Sequence, residues 1–246
     1  IDGIQVEAEK GTSILHAAES VGIEVPTLCY IKDLLPDGSC RMCMVEIENR
    51  GRTKMETACT AQVAEGLVIT TNSEKVRNAR RNILDMLLSN HKTDCFSCPS
   101  NGDCKLQELC FEYGIERTTY SGEQTELPID DSNKFFTYNP NLCILCHRCV
   151  NTCHKVVGRG AIDTMERGFD SAIGTPFHID WADTNCESCG NCVQACPTGA
   201  LTMKRRKNYR KYQIDKKVLT TCPHCATGCQ YYLLVKDNKI VDVEAA

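Results

Sequence analysis

Eighteen of the nineteen cysteines in this 246-residue chain fall into five groups, each spaced like the ligands of an inorganic iron–sulfur core. Two groups share the pattern C-x2-C-x2-C-x3-C: Cys143, Cys146, Cys149 and Cys153, then Cys186, Cys189, Cys192 and Cys196. In such a run the tight loop sets three thiolates on one [4Fe–4S] cube, while the fourth, on the helix that follows, reaches the neighbouring cube. The expected ligand sets are therefore crossed. Cys143, Cys146 and Cys149 go with Cys196, and Cys186, Cys189 and Cys192 go with Cys153. Pro197 follows the second run; His154 stands in that place after the first and leaves the ligand intact. Zinc is the competing reading of any C-x2-C pair, and two identical three-plus-one sets count against it.

The other groups are looser. Cys29, Cys40, Cys43 and Cys59 are spread over loops, which suits a [2Fe–2S] rhomb whose ligands approach from two sides, although the first gap is longer than in the plant-type pattern. A zinc site is the alternative there too. His91, Cys95, Cys98 and Cys104 read as a [4Fe–4S] site held by one imidazole and three thiolates, against the plainer reading of His91 as a helix-end residue. A neutral imidazole raises a cluster's potential relative to a thiolate. Cys222, Cys225 and Cys229 supply three ligands with no fourth cysteine before Ala246. They read as half a zinc site or as a further [4Fe–4S] cube completed beyond this chain. Cys110 is left over as a packed thiol. One-electron transfer is the chemistry that one [2Fe–2S], three complete [4Fe–4S] and one partial [4Fe–4S] centre would perform.

These loops need elements to hold them. Ile4, Val6 and Ala8 alternate at strand period, and a helix capped at Thr12 or Ser13 and closed by Gly22 follows. Strands are expected over 44–48, 53–58 and 67–69, giving a small mixed sheet crossed by one helix. Over 73–90 the apolar residues Val76, Ala79, Ile83, Leu84, Leu87 and Leu88 mark an amphipathic helix, with Arg77, Arg80 and Arg81 on the opposite side. A shorter helix is expected over 105–113 and a linker over 125–141. A hairpin over 231–243 turns at Asp237-Asn238. The duplicated cysteine run implies pseudo-twofold symmetry within 141–203.

The count of 28 basic and 32 acidic residues leaves a formal charge of −4, which says little about partners. Residues 204–217 hold eight basic residues against Asp215 and read as a solvated linker. Tyr209 and Tyr212 interleave with these charges, but without a nucleic-acid-binding motif beside them no nucleic-acid partner is expected. An odd cysteine count and repeated tight pairs argue against a disulfide scaffold. No apolar run of spanning length occurs, so no membrane span and a reducing cytoplasmic setting are expected. Each cysteine-defined piece is too small for a large core of its own, so metal should supply much of the folding free energy.

The order of these motifs resembles a known family. A [2Fe–2S] group, a histidine-plus-three-cysteine group and a two-cluster ferredoxin segment are similar to the N-terminal region of [FeFe] hydrogenases. They are equally similar to that of the α subunit of cytoplasmic NAD(P)-linked, electron-bifurcating, molybdopterin-dependent formate dehydrogenases. The large complex I subunit shares the pattern from Cys29 to Cys104 and the Cys222 motif but typically lacks the paired repeat. The hydrogenases lack the Cys222 motif at that place. The resemblance is therefore to the formate dehydrogenase α subunit over the whole chain.

That resemblance implies an α+β chain: a β-grasp [2Fe–2S] ferredoxin-like domain at 1–72, a small helical His-ligated [4Fe–4S] domain at 73–127 and a bacterial two-[4Fe–4S] ferredoxin-like domain at 135–205. The truncated start of a molybdopterin-oxidoreductase iron–sulfur domain follows at 215–246. It also implies a Mo or W bis-pterin guanine dinucleotide outside these residues, with no catalytic residue among them. The implied function is electron relay in reversible formate oxidation and CO2 reduction. The implied partners are flavin- and NAD(P)-binding subunits with their own iron–sulfur clusters, or ferredoxin, in a cytoplasmic hetero-oligomer. The alternative is a stand-alone electron-transfer subunit of a hydrogenase or of a complex I-like, NADH-linked complex.

Overall fold

Residues 1–205 and 209–246 are described by a computed structural model. Ser13 starts helix α1 (Ile14–Glu19), its Oγ accepting from the His16 N–H at 3.2 Å, and Ile14, Leu15, Ala17 and Ala18 turn inward. Strand β1 (Met44–Asn49) pairs antiparallel with β2 (Arg52–Thr57) and with β3 (Val68–Thr70) in the order β2-β1-β3. Val45, Ile47 and Ile69 pack with Ile14, Leu15 and Ala18 in one core. The strand expected over Ile4, Val6 and Ala8 does not form. Asp2 ties that segment to the sheet, through its N–H to the Ile69 carbonyl at 2.8 Å and its carboxylate to Thr71, and Ile4 stays 46% exposed. Alternation without a face to bury gives no reason to ladder, so the sheet is antiparallel rather than mixed.

Helix α2 (Glu74–Ser89) is capped by Ser73 Oγ, which accepts from the Val76 N–H at 3.2 Å. Its buried stripe is Val76, Arg80, Leu84 and Leu88, at four-residue intervals. Arg80 thus lies inside, not on the solvent side with Arg77 and Arg81. Its guanidinium is accommodated by the Met44 carbonyl and the Tyr113 hydroxyl. Helix α3 (Lys105–Glu112) starts at Cys104 and lays Leu106, Leu109 and Cys110 against the same stripe.

The stretch expected as a linker carries strand β4 (Phe136–Tyr138), which joins β7 (Leu201–Met203). Phe136 and Tyr138 both contact Trp181, at ring centroid distances of 5.2 and 5.4 Å, and that burial outweighs the prolines around them. Helix α4 (Arg148–Asn151) runs on into a π-helical turn, Thr152–Val156, where the first repeat has no proline. Its counterpart α5 (Asn191–Ala195) stops just before Cys196-Pro197. Strands β5 (Asp163–Met165) and β6 (Ala172–Gly174) form a ribbon between the repeats.

Strands β8 (Lys216–Thr221), β9 (Gln230–Lys236) and β10 (Lys239–Ala245) form an antiparallel sheet in the order β10-β9-β8. Asp237 and Asn238, at φ 49° and 58°, supply the left-handed pair that a tight hairpin requires. The basic stretch at 204–217 is more ordered than a solvated linker. It ends in β8, and Tyr209 is buried with its hydroxyl donating to Asp242 at 2.6 Å. Arg206, Lys207 and Asn208 of that stretch lie outside the described residues.

The cores do not follow the cysteine-defined pieces. One cluster joins Leu28, Cys29, Cys40 and Met42 to Leu84, Leu88, Leu106, Leu109, Cys110 and Tyr113, and reaches Ile144 and Cys146. Among the described residues no helix is long and apolar enough to cross a membrane.

Candidate metal centres

The two C-x2-C-x2-C loops repeat in three dimensions. Leu145 and His147 sit at φ 50° and 59°, and the matching Ser188 and Gly190 at 55° and 77°. This left-handed geometry turns backbone N–H groups toward sulfur. The Leu145 N–H donates to Cys143 Sγ and the Ser188 N–H to Cys186 Sγ, both at 3.4 Å. The helices after the loops then carry the fourth cysteines across. Cys153 lines one pocket together with Cys186, Cys189 and Cys192, with Ile162 and Trp181 as apolar wall. Cys196 lies within electrostatic reach of Cys143, Cys146 and Cys149. Burial pushes the Cys143 thiol up to about 11, Cys146 and Cys192 up to about 12, and Cys149 well above the usual thiol range. Thiols held protonated in this way become thiolates on binding iron, with proton release.

The first group uses the same device. Arg41 is at φ 58°, and the Met42 N–H donates to Cys40 Sγ at 3.5 Å. Its thiols stand as two hydrogen-bonded pairs, Cys29 with Cys40 and Cys43 with Cys59. The bond from Cys40 lowers Cys29 to about 5 against the opposing effect of burial, and the bond from Cys59 lowers Cys43 to about 7. Cys40 and Cys59, the donors, are pushed up. Two pairs of buried sulfurs fit a [2Fe–2S] rhomb, in which each iron takes two ligands.

In the second group Cys95 and Cys98 stand within electrostatic reach of Cys104, whose thiol burial pushes up to about 11. His91 follows α2, 7% exposed, with Nδ1 buried and without a hydrogen-bond partner, and burial holds its ring neutral by lowering it to about 4. A buried, neutral, unpartnered imidazole suits a metal ligand. The site abuts the paired repeat: Cys104 Sγ lies 3.7 Å from the Pro197 carbonyl, which also accepts from the Lys105 N–H at 2.9 Å. A Cβ on Gly199 would meet Cys98 Sγ at 2.7 Å, so glycine is required for this close approach. Cys110 is buried among leucines near Cys104 and Cys95, its thiol pushed up to about 11 by burial.

Cys222, Cys225 and Cys229 occupy the connection from β8 to β9, where the Cys222 N–H donates to the Cys229 carbonyl at 2.7 Å. Cys225 and Cys229 are exposed. The Thr227 hydroxyl beside Cys225 lowers its thiol. Among the described residues no three His, Cys, Asp or Glu side chains close on a point fit for a single ion. Sequence reasoning missed Gly199, Arg80 and the paired left-handed positions. Only the last had a visible signal, since they recur at the same offsets in both repeat copies.

The comparisons with known proteins follow the same order along the chain. Residues 1–74 match the 2Fe-2S iron-sulfur cluster binding domain, and residues 80–119 the NADH-ubiquinone oxidoreductase-G iron-sulfur binding region. Residues 135–202 match the ferredoxin-like domain of NADH-quinone oxidoreductase subunit 3, and residues 185–232 a 4Fe-4S dicluster domain. The second NADH-quinone oxidoreductase G subunit of Rhizobium meliloti is 42% identical over 248 residues, which is 100% of this chain and 28% of that protein. The NADPH-Fe(3+) oxidoreductase subunit alpha of Geobacter sulfurreducens is 41% identical over 94% of this chain and 27% of its own length. The NADP-reducing hydrogenase subunit HndD of Solidesulfovibrio fructosivorans is 38% identical over 82% of this chain and 35% of its own length. The chain thus spans roughly a third or less of these relatives. A crystal structure of an NAD+-reducing [NiFe]-hydrogenase in the H2-reduced state superposes with a TM-score of 0.76 at 30% identity, covering 83% of this chain and 86% of that one. The similarity to the Rhizobium protein runs through both repeat copies, so it establishes the family without singling out formate dehydrogenase. The chain belongs to the family of iron–sulfur regions found at the N-terminus of the NADH-quinone oxidoreductase G subunit and of the mitochondrial-type 75–78 kDa subunits.

Proposed function

We propose that this chain is the electron-relay segment of an NAD(P)-linked oxidoreductase complex. Its ligands would be Cys29, Cys40, Cys43 and Cys59 for a [2Fe–2S] cluster and His91, Cys95, Cys98 and Cys104 for a [4Fe–4S] cluster. The crossed sets Cys143, Cys146, Cys149, Cys196 and Cys153, Cys186, Cys189, Cys192 would hold two more cubes, and Cys222, Cys225 and Cys229 part of a further one. Clusters bound there would supply one-electron carriers. The chain's own residues bring the sites together and bury Cys29, Cys40, Cys43, Cys59, Cys146 and Cys149. The carrying observation is the contact between sites: Ser39 Oγ donates to the Cys146 carbonyl at 3.4 Å, Arg148 Nη1 to the Tyr30 carbonyl at 3.1 Å, and Cys98 and Cys104 abut Gly199 and Pro197. The centre proposed for Cys143, Cys146, Cys149 and Cys196 therefore borders the Cys29 site through its loop and the His91 site through the residues after Cys196, so it stands as a junction and not as one bead in a row.

At the finer level the Thr221 to Cys229 text beside a paired repeat supports a formate dehydrogenase α subunit, with a Mo or W pterin and flavin-, NAD(P)- or ferredoxin-linked partner subunits. The NADH- and hydrogenase-linked relatives support the same relay in a complex without formate chemistry. The coarse reading is tested on anaerobically purified protein by iron and acid-labile sulfide assay with electron paramagnetic resonance (EPR) during stepwise dithionite reduction. Distinct [2Fe–2S] and [4Fe–4S] signals are expected, and zinc without sulfide would refute it. Formate-dependent reduction of NAD(P)+ or ferredoxin by the whole gene product tests the finer one. Cluster reduction by NAD(P)H with none by formate would remove it.

A further inference from the structure

The buried stripe of α2 contains one charged residue. Arg80 is 3% exposed, its Nη2 donates to the Met44 carbonyl at 2.7 Å and its Nη1 to the Tyr113 hydroxyl at 3.0 Å, and its Nε has no partner. Both acceptors are neutral. Among the described residues no carboxylate comes within ion-pair distance of Arg80, and Glu46 on β1 is engaged by Lys75 and Ser73 at 3.1 and 3.0 Å. A guanidinium does not shed its proton to escape burial. An unpaired buried cation is costly unless negative charge stands near it.

Position identifies that negative charge. Met44 follows Cys43, which is 1% exposed, while Cys40, Met42 and Tyr113 share one apolar cluster. Nine residues of α2, about 13.5 Å at 1.5 Å per residue, separate Arg80 from the helix end at Ser89, with His91 two residues further on, and Tyr113 lies nine residues beyond Cys104, about 13.5 Å by the same rise. Arg80 therefore stands at the first site's wall and far from the His91 end of α2. Resting on the reading of Cys29, Cys40, Cys43 and Cys59 as [2Fe–2S] ligands, we propose that Arg80 is the fixed counter-charge of that centre, a positioning residue that holds its reduction potential up. Four thiolates leave the oxidised rhomb negative. One electron taken from dithionite makes it one unit more negative, with no bond made or broken, and the neighbouring guanidinium favours that added charge.

The test is an EPR-monitored redox titration of the anaerobic full chain and of its Arg80→Met, Arg80→Gln and Arg80→Lys variants. The neutral variants are expected to show a tenfold or larger fall in the one-electron reduction equilibrium, ~59 mV or more to lower potential. Arg80→Lys should stay near the wild-type value, and the His91-site signal should move far less in all three. Neutral variants that lose the [2Fe–2S] cluster while Arg80→Lys keeps it at wild-type potential also support the charge. An unchanged potential in the neutral variants, an equal shift in Arg80→Lys, or loss of the cluster from all three overturns the assignment alone. Absence of any [2Fe–2S] signal from the wild-type chain overturns the ligand reading, and this assignment with it.

Discussion

Gly199→Ala probes how tightly the second site is built. The added Cβ would lie 2.7 Å from Cys98 Sγ, 3.3 Å from Leu142 Cδ1 and 3.5 Å from Ser100 Cβ. Gly199 is not among the residues at positive φ, so alanine meets no left-handed penalty and the effect is steric. An ordinary contact begins at 3.4 Å, so the sulfur must retreat by about 0.7 Å. The opposite wall does not yield easily, because Leu142 is 7% exposed and its carbonyl accepts from the Thr198 hydroxyl at 2.8 Å. Overpacking of this kind costs ~1–3 kcal/mol, and here it falls on a candidate ligand. The expected outcome is loss or distortion of the His91-site EPR signal and a lower urea midpoint, with the [2Fe–2S] signal retained. A variant with wild-type line shape, wild-type iron content and a stability change under ~0.5 kcal/mol would show that Cys98 has room to spare and is not seated against Gly199.

Other expectations follow from the same geometry. Cys153→Ser should empty or convert the centre held by Cys186, Cys189 and Cys192 while sparing the one in its own run, as read by EPR and iron content; the reverse pattern would break the crossed assignment. His91→Cys should lower the potential of one [4Fe–4S] centre without loss of iron, because an anionic ligand replaces a neutral one. An unchanged titration would take His91 off the ligand set. Trp181→Ala, at a side chain 3% exposed between Phe136 and Tyr138, should cost ~3–5 kcal/mol in urea unfolding of the loaded protein. A cost below ~1 kcal/mol would mean that the ferredoxin-like core does not depend on it.

What could be read in advance was what depends on local pattern. Ser13 and Ser73 as caps, the stripe of α2 and the Asp237-Asn238 turn are short-range effects written in neighbouring residues. The segment at Ile4, Val6 and Ala8 had the right alternation but no sheet edge that buried it, and no window of sequence contains that fact. Strand β4 was hidden because its justification is Trp181, more than forty residues away. Arg80 read as a surface residue because charge predicts exposure, whereas its acceptors come from β1 and from the end of α3. Spacing alone suggested the cysteine groupings, and the structure brings Cys153 beside Cys186, Cys189 and Cys192. The neighbourhood relations between groups were not legible, since contacts such as Ser39 with Cys146 join residues 107 positions apart.

The single interior shared by the Cys29, Cys110 and Cys146 neighbourhoods bears on how this chain withstands oxygen. Leu28, Leu84, Leu106 and Ile144 lie in one continuous apolar cluster, so on the proposed ligand reading the oxidative loss of one centre would loosen packing that the Cys29, His91 and Cys143 sites share. Under that reading the least robust of these centres would set one common lifetime in air.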